Sequence, residues 1–229
     1  SEMYGQTRTI FPTRGNPQGG VLSPLVWNLA INNLLTKFRA EQTVNDLGRC
    51  CIKAAGYADD VLLMGQGDDP IRLVGDMQRA INRAVRWARQ CGLAYNPQKT
   101  ECLFKHPGRK TREDFNYPDL TIDNSPLPYT DTLKYLGLTL DKSLLWNAHI
   151  KDKCAKAKRL FHLAKRTIGK EWGLTPDRIM WIHKAVIRPQ ISYGSVVWAH
   201  KIKQHHAKSL DSVQRQPLMS LAHSMRSTP

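Results

Sequence analysis

The spacing of apolar residues changes once along this chain of 229 residues, near residue 141, and no other feature limits the possible folds as strongly. From Trp146 onward Ile150, Cys154, Ala157, Phe161, Ala164 and Ile168 recur at three- and four-residue intervals, which predicts one amphipathic helix closed at Gly169. Thr175-Pro176 caps a second helix expected to run to about Ile187, and Lys208 to Met225 reads as a third. Before residue 141, helices alternate with short apolar runs bounded by Gly, Pro, Asn and Asp, the pattern of hairpins packed on helices. The expectation is an α+β chain in two parts, residues 1–140 and 141–229, joined by a change of architecture instead of a flexible tether.

In the first part, a β-like start from Thr7 to Phe11 runs into Pro12, Gly15, Pro17, Gly19 and Gly20, too many breakers for anything but a loop. Ser23 followed by Pro24 starts a helix to about Arg39, with Leu25, Trp27, Leu29, Ile31, Leu34, Leu35 and Phe38 as its largely buried face. Cys51 to Tyr57 and Val61 to Met64 read as a hairpin with Ala58, Asp59 and Asp60 at its tip. Asp69-Pro70 starts a second helix, carrying Ile71, Val74, Met77, Ile81, Val85 and Ala88 and stopped by Gly92. Two β-like pieces, Leu93 to Tyr95 and Thr100 to Phe104, flank the turn Asn96-Pro97-Gln98. Asp119 to Ile122 with Leu133 to Leu140 reads as a further hairpin, with Pro126 and Pro128 in its connection.

Charge narrows the function classes. The 34 basic residues outnumber 19 acidic ones, for a net charge of +15 and a pI near 9.8. Residues 1–140 carry only +3 of it and residues 141–229 carry +12. A polyanionic partner fits this balance, with nucleic acid ahead of an anionic membrane; the alternative is a merely soluble basic surface. A composition 41% hydrophobic and 23% charged excludes wholesale disorder. No apolar run approaches membrane-spanning length, and the first residues lack a secretion-signal pattern. The five cysteines form no C-x-x-C and no zinc-finger pairing, which fits a reducing, intracellular compartment, and His205-His206 reads as solvated loop.

Three groups of residues can carry chemistry. Asp59 and Asp60, raised on apolar strands behind Tyr57, can hold a hard divalent cation through oxygen and present it to a phosphate, although acids are also common in exposed turns. The run Gly15-Asn16-Pro17-Gln18-Gly19-Gly20 directly before a helix lets bare backbone approach a base pair or phosphate, and Gln18 offers both donor and acceptor; an ordinary strand-to-helix turn would use the same glycines. Lys99, beside a tight turn, can give a proton or a positive charge to a leaving pyrophosphate, or simply be solvated.

The order GNPQGGVLSPLVWNLAINNLL, GYADDVLLM, GLAYNPQKTECLF and LKYLGLTLD resembles the reverse transcriptases of non-LTR (LINE-type) retrotransposons. The continuation WNAHIKDKCAKAKRLFHLAKRTIG, AVIRPQISYGSVVW and SVQRQPLMSLAHSMRSTP is similar to that family's thumb and the connection after it. The resemblance implies a right-hand polymerase, an antiparallel palm sheet with packed helices and part of the fingers, followed by a helical thumb. It implies RNA-directed DNA polymerase activity with an RNA template, a DNA primer, deoxynucleoside triphosphates and Mg²⁺. Asp59 would bind the metal ions with Asp60 assisting, Pro17, Gln18, Gly19 and Tyr57 would lie by the nucleotide and template, and Lys99 would act near the pyrophosphate. Leu136 and Gly137 would grip the primer end, while the thumb would hold the duplex by its phosphates.

One departure matters. The family's first catalytic aspartate precedes the PQG loop, and here Glu2 is the sole acid ahead of Gln18. Two-metal transfer needs carboxylates from separate strands, so the expectation is a truncated chain with an incomplete two-metal site, inactive alone. A catalytically inactive nucleic-acid-binding remnant is the alternative. A nuclear location follows only from what target-primed synthesis would require.

Overall fold

A computed structural model describes residues 15, 19–44, 51–106, 108, 118–166 and 175–221. They fall into two compact units. The first takes the chain up to Thr100 and the return through Leu127; the second takes Glu101 onward apart from that return, resuming at Pro128.

In the first unit, α1 (Ser23–Val44) is followed by β1 (Cys51–Tyr57), β2 (Asp60–Gln66) and α2 (Pro70–Gln90). Asp69 caps α2, its carboxylate accepting from the Ile71 and Arg72 amides at 2.9 and 3.4 Å. Its other end closes on Gly92, φ 71°, with the Leu93 amide reaching back to the Ala88 carbonyl at 2.8 Å and the Gly92 amide to Arg89 at 3.0 Å. The core joins Ile31, Leu34 and Phe38 of α1 to Ala80, Ala84, Trp87 and Ala88 of α2, with Ile52, Ala54, Val61 and Leu63 packed against them. Leu25 and Leu29, expected inside, are 57% and 66% exposed. Ile31, Leu34 and Phe38 share one helical stripe with Trp27, and the other two leucines fall off it.

The hairpin expected from Asp119 to Leu140 is instead two hairpins. β3 (Thr121–Ile122) pairs with β4 (Ser125–Pro126) across Asp123 and Asn124, both at positive φ, and the pair belongs to the first unit. The Gln78 side-chain amide acts as a peptide-like partner for it, accepting from the Thr121 amide at 2.8 Å and donating to the Thr121 carbonyl at 3.0 Å. The strands expected around Asn96 are also absent among the described residues, apart from one parallel bridge between Cys102 and Tyr129. There the Asn96 side chain accepts from the Gln98 amide at 2.9 Å and Pro97 fixes φ, which makes Pro97–Lys99 a 3-10 turn.

In the second unit, β5 (Thr132–Tyr135) and β6 (Leu138–Asp141) pack with the helices that follow: α3 (Asn147–Arg166), α4 (Pro176–Ile182), α5 (Arg188–Ser192), α6 (Ser195–Trp198) and α7 (Gln204–Leu221). The expected stripe of α3 is the core, with Ile150, Cys154, Ala157 and Phe161 buried against Ile187, Ile191, Trp198, Leu210 and Val213; Ile168 and Gly169 lie outside the described residues. The second helix runs past its expected end, through a π turn at His183–Ile187 into α5. Pro189 has no amide for the Ala185 carbonyl, and the wider turn, with the Arg188 amide bonded to His183, absorbs the defect. Asp141 organises the entry to α3: its carboxylate accepts from the Ser143 and Leu145 amides at 3.0 and 3.2 Å and from the Ser143 hydroxyl. Burial pushes this carboxyl up, but those bonds outweigh it and hold it below the usual range. Among the described residues no helix is long and apolar enough to cross a membrane.

Candidate active site and nucleic-acid interface

The acidic tip is a two-residue turn. β1 and β2 pair from Cys51–Gln66 to Tyr57–Asp60, which leaves Ala58 and Asp59 between them. The pairs Ile52–Gly65, Ala54–Leu63 and Gly56–Val61 form the face turned to the helices. A Cβ on Gly56 would come within 3.0 Å of Ile31 Cδ1, so α1 approaches the strand closely just before Tyr57. The opposite face holds the Tyr57–Asp60, Ala55–Leu62 and Lys53–Met64 pairs, with Tyr57, Asp60, Lys53 and Met64 exposed.

Ala58 sits at φ 48°, in the region hairpin turns usually fill with glycine. A side chain there costs about 1–2 kcal/mol. The carbonyl of Ala58 accepts a hydrogen bond from Trp27 Nε1 at 2.5 Å, so α1 holds the turn from beneath. Asp59 and Asp60 stand exposed and adjacent on this tip with Tyr57. Oxygen donors of this kind suit a hard cation such as Mg²⁺. Among the described residues, however, no third His, Cys, Asp or Glu joins them in a cluster able to hold a metal. Two carboxylates are fewer oxygen ligands than such a cation takes.

The other expected residues belong to other elements. Gly19, at φ 83°, lies in the turn that enters α1, and a Cβ there would meet nothing within 4 Å; its glycine answers to backbone conformation, not to packing. Pro17 and Gln18 lie outside the described residues. Lys99 ends the 3-10 turn, exposed, and makes no ion pair with Asp59 or Asp60 among the described residues. In the second unit, Leu136 and Gly137 form the tip of β5–β6, both at positive φ (47° and 74°), the pattern of a type I′ turn.

The second unit also carries a row of cations. Lys151, Lys158, Arg159 and Arg166 are exposed along α3, whereas Lys156 is engaged by Asp152 at 2.7 Å and Lys153 is buried. Such a row can follow the phosphates of a duplex. Trp27, which holds the tip, is not marked as a site residue by any motif in the sequence. The available signal was a half-apolar aromatic whose polar tip needs a partner when partly covered.

Residues 2–140 match the family described as reverse transcriptase (RNA-dependent DNA polymerase). The chain is 25% identical over 207 residues to a retrovirus-related Pol polyprotein from the type-1 retrotransposable element R1 of Nasonia vitripennis, covering 88% of this chain and 58% of that protein. It is 26% identical to the corresponding R2 polyprotein of Popillia japonica (82% of this chain, 29% of that protein). It is 25% identical to the RNA-directed DNA polymerase from the mobile element jockey of Drosophila funebris (90% and 22%). The chain thus spans little more than half of the first of these relatives and less of the others. No solved structure matches it significantly.

Proposed function

The chain belongs to the reverse transcriptase (RNA-dependent DNA polymerase) family, and from that premise we propose that it carries the metal-binding tip and the duplex-holding surface of a non-LTR retrotransposon polymerase. The observation that carries this reading is the pair Asp59-Asp60, exposed on a helix-backed hairpin tip inside the matched region. Asp59 would be a Mg²⁺ ligand with Asp60 beside it, and the ion, when bound, supplies positive charge for the phosphoryl oxygens during transfer to a primer 3′-hydroxyl. Pro17, Gln18, Gly19 and Tyr57 would line the nucleotide and template, Lys99 would stand near the pyrophosphate, and Leu136-Gly137 would meet the primer end. On this reading residues 1–140 form the palm with part of the fingers, and residues 141–229 the thumb. The partners are an RNA template, a DNA primer and deoxynucleoside triphosphates, and synthesis primed on a chromosomal target would take place in the nucleus.

That no third ligand joins Asp59 and Asp60 among the described residues favours a second reading of the chain in isolation, a nucleic-acid-binding unit without turnover. Both readings meet in one experiment on the purified chain. Four α3 cations on phosphates give a log–log salt slope of about −3 to −4, a loss of roughly 100-fold in affinity for an RNA–DNA duplex between 50 and 200 mM salt. Asp59→Asn leaves this binding within about twofold, and primer extension stays undetectable for both proteins. Salt-insensitive or absent duplex binding overturns the reading of the basic surface, and strong extension abolished by Asp59→Asn overturns that of an incomplete site.

A further inference from the structure

The segment Arg188–Trp198 lies within the proposed thumb, beyond the α3 cations. Its geometry converges on the Leu136-Gly137 turn. Tyr193 Oη donates to the Leu136 carbonyl at 2.8 Å. The ring lies so close that a Cβ on Gly137 would stand 3.1 Å from Tyr193 Cε1. Gly194, at φ 66°, admits Leu138, whose Cδ2 would be 2.5 Å from any Cβ placed there. Trp198 Nε1 donates to the Tyr193 carbonyl at 3.0 Å, and the buried Lys153 places its ammonium 4.6 Å from the centroid of the Tyr193 ring. Tyr193 is thus fixed by its own carbonyl, its ring and its neighbour, and it spends its hydroxyl on the turn.

We propose that Tyr193 is a positioning residue that holds the Leu136-Gly137 turn in the shape that receives a primer 3′ end; this rests on the reading of that turn as the primer grip. Leu136 has a side chain at φ 47°, a conformation that tends to relax toward negative φ. A hydrogen bond to its carbonyl opposes the peptide rotation that relaxation requires. The turn stays ordered before nucleic acid arrives, and binding then loses less entropy.

The test uses the purified chain and Tyr193→Phe, which keeps the ring beneath Lys153 and removes the hydroxyl. Two probes are compared, a DNA primer on an RNA template with a recessed 3′ end and the same duplex with that end closed by a hairpin cap. Loss of one hydrogen bond predicts a 2- to 10-fold fall in preference for the recessed end, with capped-duplex affinity and salt slope unchanged. Hydrogen exchange at the Gly137 and Leu138 amides speeds up by a similar factor. Unchanged end preference and exchange in the variant overturn the proposal. Equal binding of both probes by the unsubstituted chain instead overturns the primer-grip reading, and the proposal with it, while the exchange data still report whether Tyr193 holds the turn.

Discussion

Replacing Trp27 by Phe removes one N–H and leaves most of the aromatic surface in place, so it isolates the bond beneath the acidic tip. A neutral hydrogen bond contributes about 0.5–1.5 kcal/mol net. Trp27 is half-buried and Ala58 exposed, so water can partly replace the donor, and about 1 kcal/mol is the working figure. That corresponds to roughly a fivefold rise in the opening equilibrium of the tip. It is read as faster hydrogen exchange at Tyr57 and Asp60, the pair that closes the hairpin. A second variant sharpens the test. Ala58 at φ 48° carries about 1–2 kcal/mol of side-chain strain that glycine lacks, so in an Ala58→Gly background the turn needs less restraint. The Trp27→Phe effect should then shrink by about half, a coupling measurable in a double-mutant cycle. Exchange unchanged by Trp27→Phe, or changed equally in both backgrounds, refutes the idea that the indole holds a strained turn.

Two further outcomes follow from the same geometry. Gly92→Ala places a side chain at φ 71° at the end of α2, and urea denaturation should show a loss of about 1 kcal/mol; no loss would mean the helix end rearranges without cost. His149, His183 and His206 are buried, the last on α7 against Asn147 and not in the solvated loop expected for His205-His206; each is held below the ordinary imidazole value, first by desolvation and then by neighbouring positive charge. Below about pH 6.5 the unfolded chain binds protons that the folded chain resists, so stability is intact above that pH and falls as acid is added. For fully buried His149 the loss is at most about 1.4 kcal/mol for the first pH unit, and equal denaturation midpoints at pH 7.5 and 5.5 would contradict this.

What the sequence revealed and what it hid separate along physical lines. The α2 caps, the acidic hairpin and the α3 stripe rest on local rules: a carboxylate before Pro70, a glycine at Gly92, alternation across a short turn and a strong helical period. All three were legible. The two hairpins after residue 118 are hidden in the sequence because Asp123-Asn124 adopts positive φ without a glycine and Gln78 supplies the missing edge partner from 43 residues away. The exposed half of α1 is as rich in apolar residues as its buried stripe, and only their angular position separates the two. Of the site, Asp59, Asp60 and Tyr57 come together through one hairpin, a local event. The roles of Trp27 and Tyr193 depend on partners 31 and 57 residues distant, which no spacing rule encodes.

Those two long-range bonds share a design. Each proposed functional turn has a non-glycine residue at its first position with nearly the same conformation, φ 48° at Ala58 and 47° at Leu136. In each the carbonyl of that residue accepts from the polar tip of an aromatic ring, the Trp27 indole in one unit and the Tyr193 hydroxyl in the other. Glycine at either position would relieve the strain but free the backbone, and a turn that has to present carboxylates or meet a primer end gains from being ordered beforehand. A side chain at positive φ with a single fixed acceptor keeps the turn in one shape only while the aromatic donor stays in place. Trp27→Phe and Tyr193→Phe should accordingly loosen their own turns and leave the other untouched, since each bond lies within a separate unit. Loosening of both turns by either substitution would point to general destabilisation instead of two independent restraints.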